Sequence, residues 1–399
     1  MGRLGTARAG PWVVIACLWV VVAAMNAYYI VPSSVLPVIM ERLGIGPTAA
    51  SLLVSVTFGT QVVVGVPVGI VLDRIDDRRA IVAAGAVLVG AYVWSWRAAA
   101  SGAFHSLLAA RAIATPLTAA IWTASIGVVG RQFPAERRAT AVAAITSAPP
   151  AGFAVALVAA PVVTDRLGWA TVFVVFAAPV AVGCAAFLLA SRRLDLSGRD
   201  GATPSVGDLG TLLSDRSIWI VSALAFLGFS LYAFVTSWTP TYLAERLDVS
   251  LAYGGLFAAL FPAIGAFARG GSGFVSDRLF AHRRRPVALL SFSVAAPAIV
   301  LIAAVEMRIA VVGSLLLAGL FVQLGLGLFY AQVREIAAPN VVATAVGITT
   351  STAVLGGFVA PLIGGFLIER SGYAAAFGYA VVVALLGSVL AWFTPEPDL

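Results

Sequence analysis

The chain has 399 residues, of which 61% are hydrophobic and 11% charged. A water-soluble protein of this size carries about 25% charge, so this one lacks the polar surface to cover itself in water; lipid is its solvent. The net charge of +7 comes from arginine alone, without lysine, and reads as loop charge beside a membrane, not as a nucleic-acid footprint.

Apolar runs of about 20 residues cross the hydrocarbon as helices. Twelve are expected, at 12–39, 47–72, 80–96, 102–130, 139–163, 170–190, 217–243, 250–275, 286–304, 309–333, 341–367 and 373–393. Barrel-type alternation is absent. The first run follows Arg3 and Arg8 like a signal peptide, but it is too long for one and is read as a retained helix. It carries Asn26, Tyr28 and Tyr29 in its middle. The second holds Gln61 and ends in the charged hinge Gly69-Ile-Val-Leu-Asp73-Arg74-Ile-Asp76-Asp77-Arg78-Arg79. The third closes on Trp94, Trp96 and Arg97, residues suited to anchor at an interface. The fourth contains Arg111 and leads to the basic loop of Arg137 and Arg138. The fifth, with Pro149, Pro150 and Pro161, is expected to bend, and the sixth is plainly apolar. Residues 191–216 are the one long polar stretch, a linker expected to lie partly as an amphipathic helix on the membrane.

Beyond the linker the plan repeats at an offset of 204. Gly69, Asp73 and Arg74 return as Gly273, Asp277 and Arg278, and Tyr28 returns as Tyr232. Glu41-Arg42-Leu43 becomes Glu245-Arg246-Leu247, and Asp165-Arg166 becomes Glu369-Arg370. Several matches in one register indicate a duplicated half. Two parallel six-helix bundles follow, 1–190 and 217–399, joined by 191–216. Seventeen arginines flank the spans on the side of the termini and linker, against six on the other. That asymmetry predicts a multi-pass cell-membrane protein with both termini in the cytoplasm.

An ionisable group deep in a span is costly and is a functional candidate. Arg111 lies roughly 13 Å from the outer boundary of its span and Arg269 roughly 12 Å from the inner boundary of its own, at 1.5 Å per residue. They are not repeat copies: their counterparts are Leu315 and Gly65. No Asp or Glu lies deep in any span. An anionic ligand would satisfy such cations, in a two-point fork if it is a carboxylate. The bland alternative is that each arginine bonds backbone carbonyls at a broken helix, or a nearby Gln or Tyr. Cys17 and Cys184 sit inside apolar runs and imply no disulfide. No metal-ligand cluster, nucleophile elbow or phosphate loop is present, so neither enzyme chemistry nor a cofactor is expected.

The hinge resembles the loop signature of the major facilitator superfamily, Gly-x-x-x-Asp-Arg-x-Gly-Arg-Arg, found between helices 2 and 3 and again between 8 and 9. Asp76 stands at the usual glycine, and Ala281 and His282 depart from the pattern in the second copy. The resemblance covers helix count, half-length and linker position. It implies an all-α fold of two six-helix bundles that rock in alternating access around a central cavity. It also implies that Asp73, Arg74, Asp277, Arg278, Arg137 and Arg138 gate the cytoplasmic side. Arg269 followed by Asp277-Arg278 resembles the anion-binding arginine of the family's carboxylate and nitrate carriers, although the nitrate branch's second-helix arginine and glycine-rich signatures are missing. Arg111 resembles a fourth-helix arginine found across many members, with Thr115 where a glycine is usual.

The expectation is a secondary transporter, acting as a monomer, for a small organic anion. Arg269 is its primary ligand and Arg111 its secondary one, with Asn26, Tyr28, Tyr29, Gln61, Tyr232 and Gln323 as polar lining. The competing reading is multidrug efflux. The Gly-Pro-x-x-Gly-Gly element of drug antiporters is missing from the fifth span, where Ala160-Pro161-Val-Val-Thr164-Asp165 stands instead.

Overall fold

The computed structural model describes residues 10–72, 75–192, 194, 210, 212–338 and 341–396. Among the described residues, eleven segments are long and apolar enough to cross a membrane, and the last of them, Thr344–Ala391, has 48 residues. At 1.5 Å per residue it would run about 72 Å if straight, more than twice a bilayer core. It is not straight. Gly372 takes φ 78°, ψ 178° in its middle, a backbone state closed to other residues. The chain turns back there, so the segment holds two crossings and the expected twelve are present.

The first crossing is α1 (Gly10–Ile30), a 3₁₀ turn (Val31–Val35) and α2 (Leu36–Leu43). Pro32 lacks the N–H that would bond the carbonyl of Tyr28, which is why α1 stops where it does. Next come α3 (Pro47–Leu72), α4 (Asp77–Ala100) and α5 (Phe104–Gln132). Asp76 caps α4 by accepting from the N–H groups of Arg78 and Arg79. The fifth crossing is broken, as its prolines predict, into α6 (Ala135–Thr146) and α7 (Ala148–Leu167). A 3₁₀ turn (Trp169–Phe173) and α8 (Ala177–Ser191) make the sixth. In the second half α9 (Arg216–Arg246) and α10 (Leu251–Leu279) are long and single. The ninth crossing is α11 (Arg285–Ser293) with α12 (Ala295–Ala304), the tenth is α13 (Arg308–Ile336), and α14 (Val342–Ala391) holds the last two. The expected linker helix lies largely outside the described residues.

In lipid there is little hydrophobic gain from pairing helices, so close approach of small residues does the packing. Between the halves, α3 lies on α14 and α7 on α10. A Cβ on Gly255 would come within 2.2 Å of the Leu157 carbonyl, so α10 can touch the backbone of α7 only with glycine there. These contacts gather toward the face away from the termini, here the opposite face. There the backbone N–H of Thr48 donates to Glu369, Thr241 donates to the Ser33 carbonyl, and Gly365 lies against Pro47. At the terminal face, among the described residues, no ion pair joins the halves. The pairs found there, among them Asp77–Arg131, Asp277–Arg284 and Glu335–Arg284, each stay within one half. Among the described residues, the hydrogen bonds that join the halves lie at the opposite face.

Candidate functional site

An aromatic seal lies between the halves. Tyr29 and Phe58 of the first half, Phe229 and Tyr232 of the second, then Phe153 of the first and Phe261 of the second form a chain of rings. Their centroids lie 5.5–5.8 Å apart. Edge and offset contacts of this kind are favourable beyond the area they bury.

Arg269 sits against this seal. Its guanidinium lies over the Tyr232 ring, 5.0 Å from the centroid, a cation–π contact strengthened by low dielectric. Its Nε donates to Gln323 Oε1 at 3.1 Å. Gln323 is fully buried and donates in turn to the Phe261 carbonyl at 2.9 Å. The Gln323 amide thus hooks α13 to α10 and aims the arginine. Among the described residues the two terminal nitrogens of Arg269 have no hydrogen-bond partner, and the side chain is half-buried. A guanidinium aimed by one edge, with its fork open, is poised for a ligand carrying two acceptor oxygens.

The hook depends on Gly265. A Cβ there would stand 1.8 Å from Gln323 Oε1. Gly265→Ala is expected to expel the Gln323 side chain and let Arg269 swing. For any ligand held by Arg269, affinity should fall at least about tenfold, the lower end for one lost hydrogen bond to a charged group, with the protein still inserted. Titration of the purified variant by thermal shift measures it.

Arg111 has a different fate from the one its position suggests. It has no exposed surface. Its Nε donates to the Leu53 carbonyl at 2.5 Å, and its terminal nitrogens donate to the carbonyls of Tyr28 at 3.1 Å and Tyr29 at 2.8 Å. The last two are the acceptors left over where Pro32 ends α1. Arg111 is thus a cap for a broken helix, and the expectation that it offers its charge to a ligand is corrected. Tyr28 is likewise withdrawn: its hydroxyl shares a 2.5 Å hydrogen bond with Ser95, its ring stacks on Tyr92, and it has no exposed surface. Tyr29 is bonded to Thr118 and mostly buried, presenting only its ring to the seal. Asn26 is half-buried and turns its amide to the Val22 carbonyl. Gln61, one turn beyond Phe58, is half-buried. Tyr232 is buried with its ring under the Arg269 guanidinium, and Gln323, fully buried, stands behind that arginine as a positioning residue.

Of the expected gating residues, Asp73 and Arg74 lie outside the described residues. Arg137 and Arg138 are exposed at the terminal face, and Arg278 is exposed beside Phe274. Asp277 accepts from Arg284 at 2.8 Å and stands 3.2 Å from His282. Sequence reasoning missed Arg284, the hub of this cluster. Arg284 also grips Glu335 in a two-point fork at 2.6 and 3.1 Å. Burial works against its charge, but the two carboxylates outweigh burial and raise its pKa above the ordinary arginine value. The first half has a matching clamp, Asp77 of α4 with Arg131 of α5. Arg131 and Glu335 are 204 residues apart and occupy the same place in the repeat with opposite charge. That spacing was the available signal. Phe58, Phe153 and Phe229 gave none, since an aromatic in an apolar run reads equally well as lipid-facing.

Two six-helix halves that meet over a row of aromatic rings, with a half-buried arginine beside it, are the architecture of a membrane transporter. Residues 16–361 and 282–399 match the Major Facilitator Superfamily, and the chain belongs to that family. A curated relative, the "Nitrite extrusion protein" of Bacillus subtilis (strain 168), is 26% identical over 272 residues. That match spans 67% of this chain and 66% of the relative's own length. Two solved structures of a bacterial homolog of the human lysosomal transporter Spinster share the fold. The inward-facing, unoccupied form has TM-score 0.82 and 16% identity, covering 98% of each chain. The inward-facing, occupied form has TM-score 0.80 and 15% identity, covering 98% of this chain and 97% of that one.

Proposed function

We propose that this transporter carries a small anion with a planar pair of oxygens, bound by the open fork of Arg269. The observation that carries the reading is a mid-membrane guanidinium held at one edge by Gln323, its terminal nitrogens without a protein partner among the described residues. A carboxylate presents two oxygens in this way, and so does nitrite, named in the relative from Bacillus subtilis. Arg111 is set aside as structural. The moving bodies are residues 1–190 and 217–399, joined by 191–216. The excess of arginine at the terminal face supports termini in the cytoplasm of a cell-membrane protein. Closure at that face brings the gating residues of the hinges together.

The test is thermal stabilisation of the purified protein by acetate, lactate, nitrite, nitrate and a lipophilic cation. A ligand that binds only the folded state raises the midpoint by mass action. Anions should raise it, and Arg269→Ala should abolish the effect. A shift with the lipophilic cation alone would replace this reading with drug efflux.

A further inference from the structure

The opposite face is held by very few polar contacts. Among the described residues two hydrogen bonds join the halves there, and one of them involves a charge: the Thr48 N–H donates to Glu369 Oε2 at 3.0 Å. Thr48 lies in the first turn of α3, where N–H groups lack helical partners. The residue before that helix is Gly46, which has no side chain to cap it. A Cβ at Gly46 would stand 2.8 Å from the Glu369 carboxylate, so the glycine leaves the place the carboxylate fills. One half thus caps a helix of the other.

The repeat supplies an internal control. Adding 204 to Gly46 gives Ser250, and adding 204 to Asp165 gives Glu369. Ser250 caps α10 from within its own half, accepting from the Tyr253 N–H at 3.4 Å. Asp165 is exposed, with no partner among the described residues. The duplicated seam therefore has a self-capped helix with an idle acid on one side. On the other it has an uncapped helix with an engaged acid. Of the other acids here, Glu245 bonds Tyr373 and Glu306 pairs with Arg246, both within the second half.

We propose that Glu369 is a latch for alternating access: a carboxylate at the helix N-terminus of the other half that stabilises the state closed at this face. The bond exists only while α14 lies on α3, so it must break each time the face opens. Its action does not depend on which cargo the transporter carries.

The seam offers a reporter. Ser51 is 1% exposed, and its hydroxyl stands 3.0 Å from where a Cβ on Gly365 would lie. In a Cys17→Ala, Cys184→Ala background, Ser51→Cys should react with a membrane-impermeant maleimide only when this face opens. Glu369→Gln keeps the size and removes the charge. It is expected to raise the labelling rate about two- to fivefold, the range for an anion at an exposed helix N-terminus. Asp165→Asn removes the idle charge and is expected to leave the rate unchanged. Labelling of Glu369→Gln at the parent rate, or an equal rise with Asp165→Asn, would overturn the proposal. A thermal midpoint for each variant, read beside the rate, separates opening of the seam from loss of fold.

Discussion

Replacing Arg269 with alanine is expected to abolish anion uptake into proteoliposomes and leave the fold intact. The two halves of that statement have separate causes. Uptake is lost because the proposed cargo would lose its one cationic partner in a low-dielectric site. Truncating one member of a desolvated charge pair costs about 2–5 kcal/mol, so affinity should drop by at least about thirtyfold. The fold survives because the arginine's own protein contacts are few. Gln323 keeps its bond to the Phe261 carbonyl without it, and Tyr232 keeps its ring neighbours. Arg269→Lys should fall between: the charge remains and the two-point fork is lost. Uptake with normal affinity in Arg269→Ala would remove the anion assignment while the transporter class stood.

Arg111→Ala should show the reverse pattern, a protein that is much less stable but binds its anion normally when folded. The substitution orphans two carbonyls at the broken end of α1 and removes a second donor from the Leu53 carbonyl, which keeps its place in the α3 ladder. Each buried orphan costs about 1–3 kcal/mol. Part is returned because a cation without a carboxylate partner is no longer buried. The balance is roughly 2–4 kcal/mol of lost stability, seen as a lower thermal midpoint and poorer yield. Rescue by an anion would then be as strong as in the parent. A variant with parent stability and weakened anion binding would return Arg111 to the cargo site.

The contrast shows what a sequence of this kind discloses. Bilayer physics made the fold legible: apolar runs of the right length, a duplicated hinge and lopsided arginines left little choice of architecture. Broken helices were also foreseeable, since Pro32 and the Pro149-Pro150 pair have local effects. Depth, however, is not direction. Arg111 and Arg269 lie at similar depths in their spans, and nothing in either span says which faces carbonyls and which faces open space. That depends on where a neighbouring helix happens to break. Gln323 was picked out as a polar residue in an apolar run, but its role as a strut rather than a wall rests on a glycine two helices away. The aromatic seal was invisible because lipid and protein interior select the same side chains.

The reversed polarity of the two clamps has one more consequence. Arg131 faces Asp77, and at the equivalent place Glu335 faces Arg284. A chimera that grafts the end of α5 onto α13 would set arginine against arginine, and the reciprocal graft would set carboxylate against carboxylate. Although the halves descend from one template, their parts are no longer interchangeable piece by piece. Any exchange must carry both members of the clamp, so the smallest heritable unit of this architecture is a helix pair.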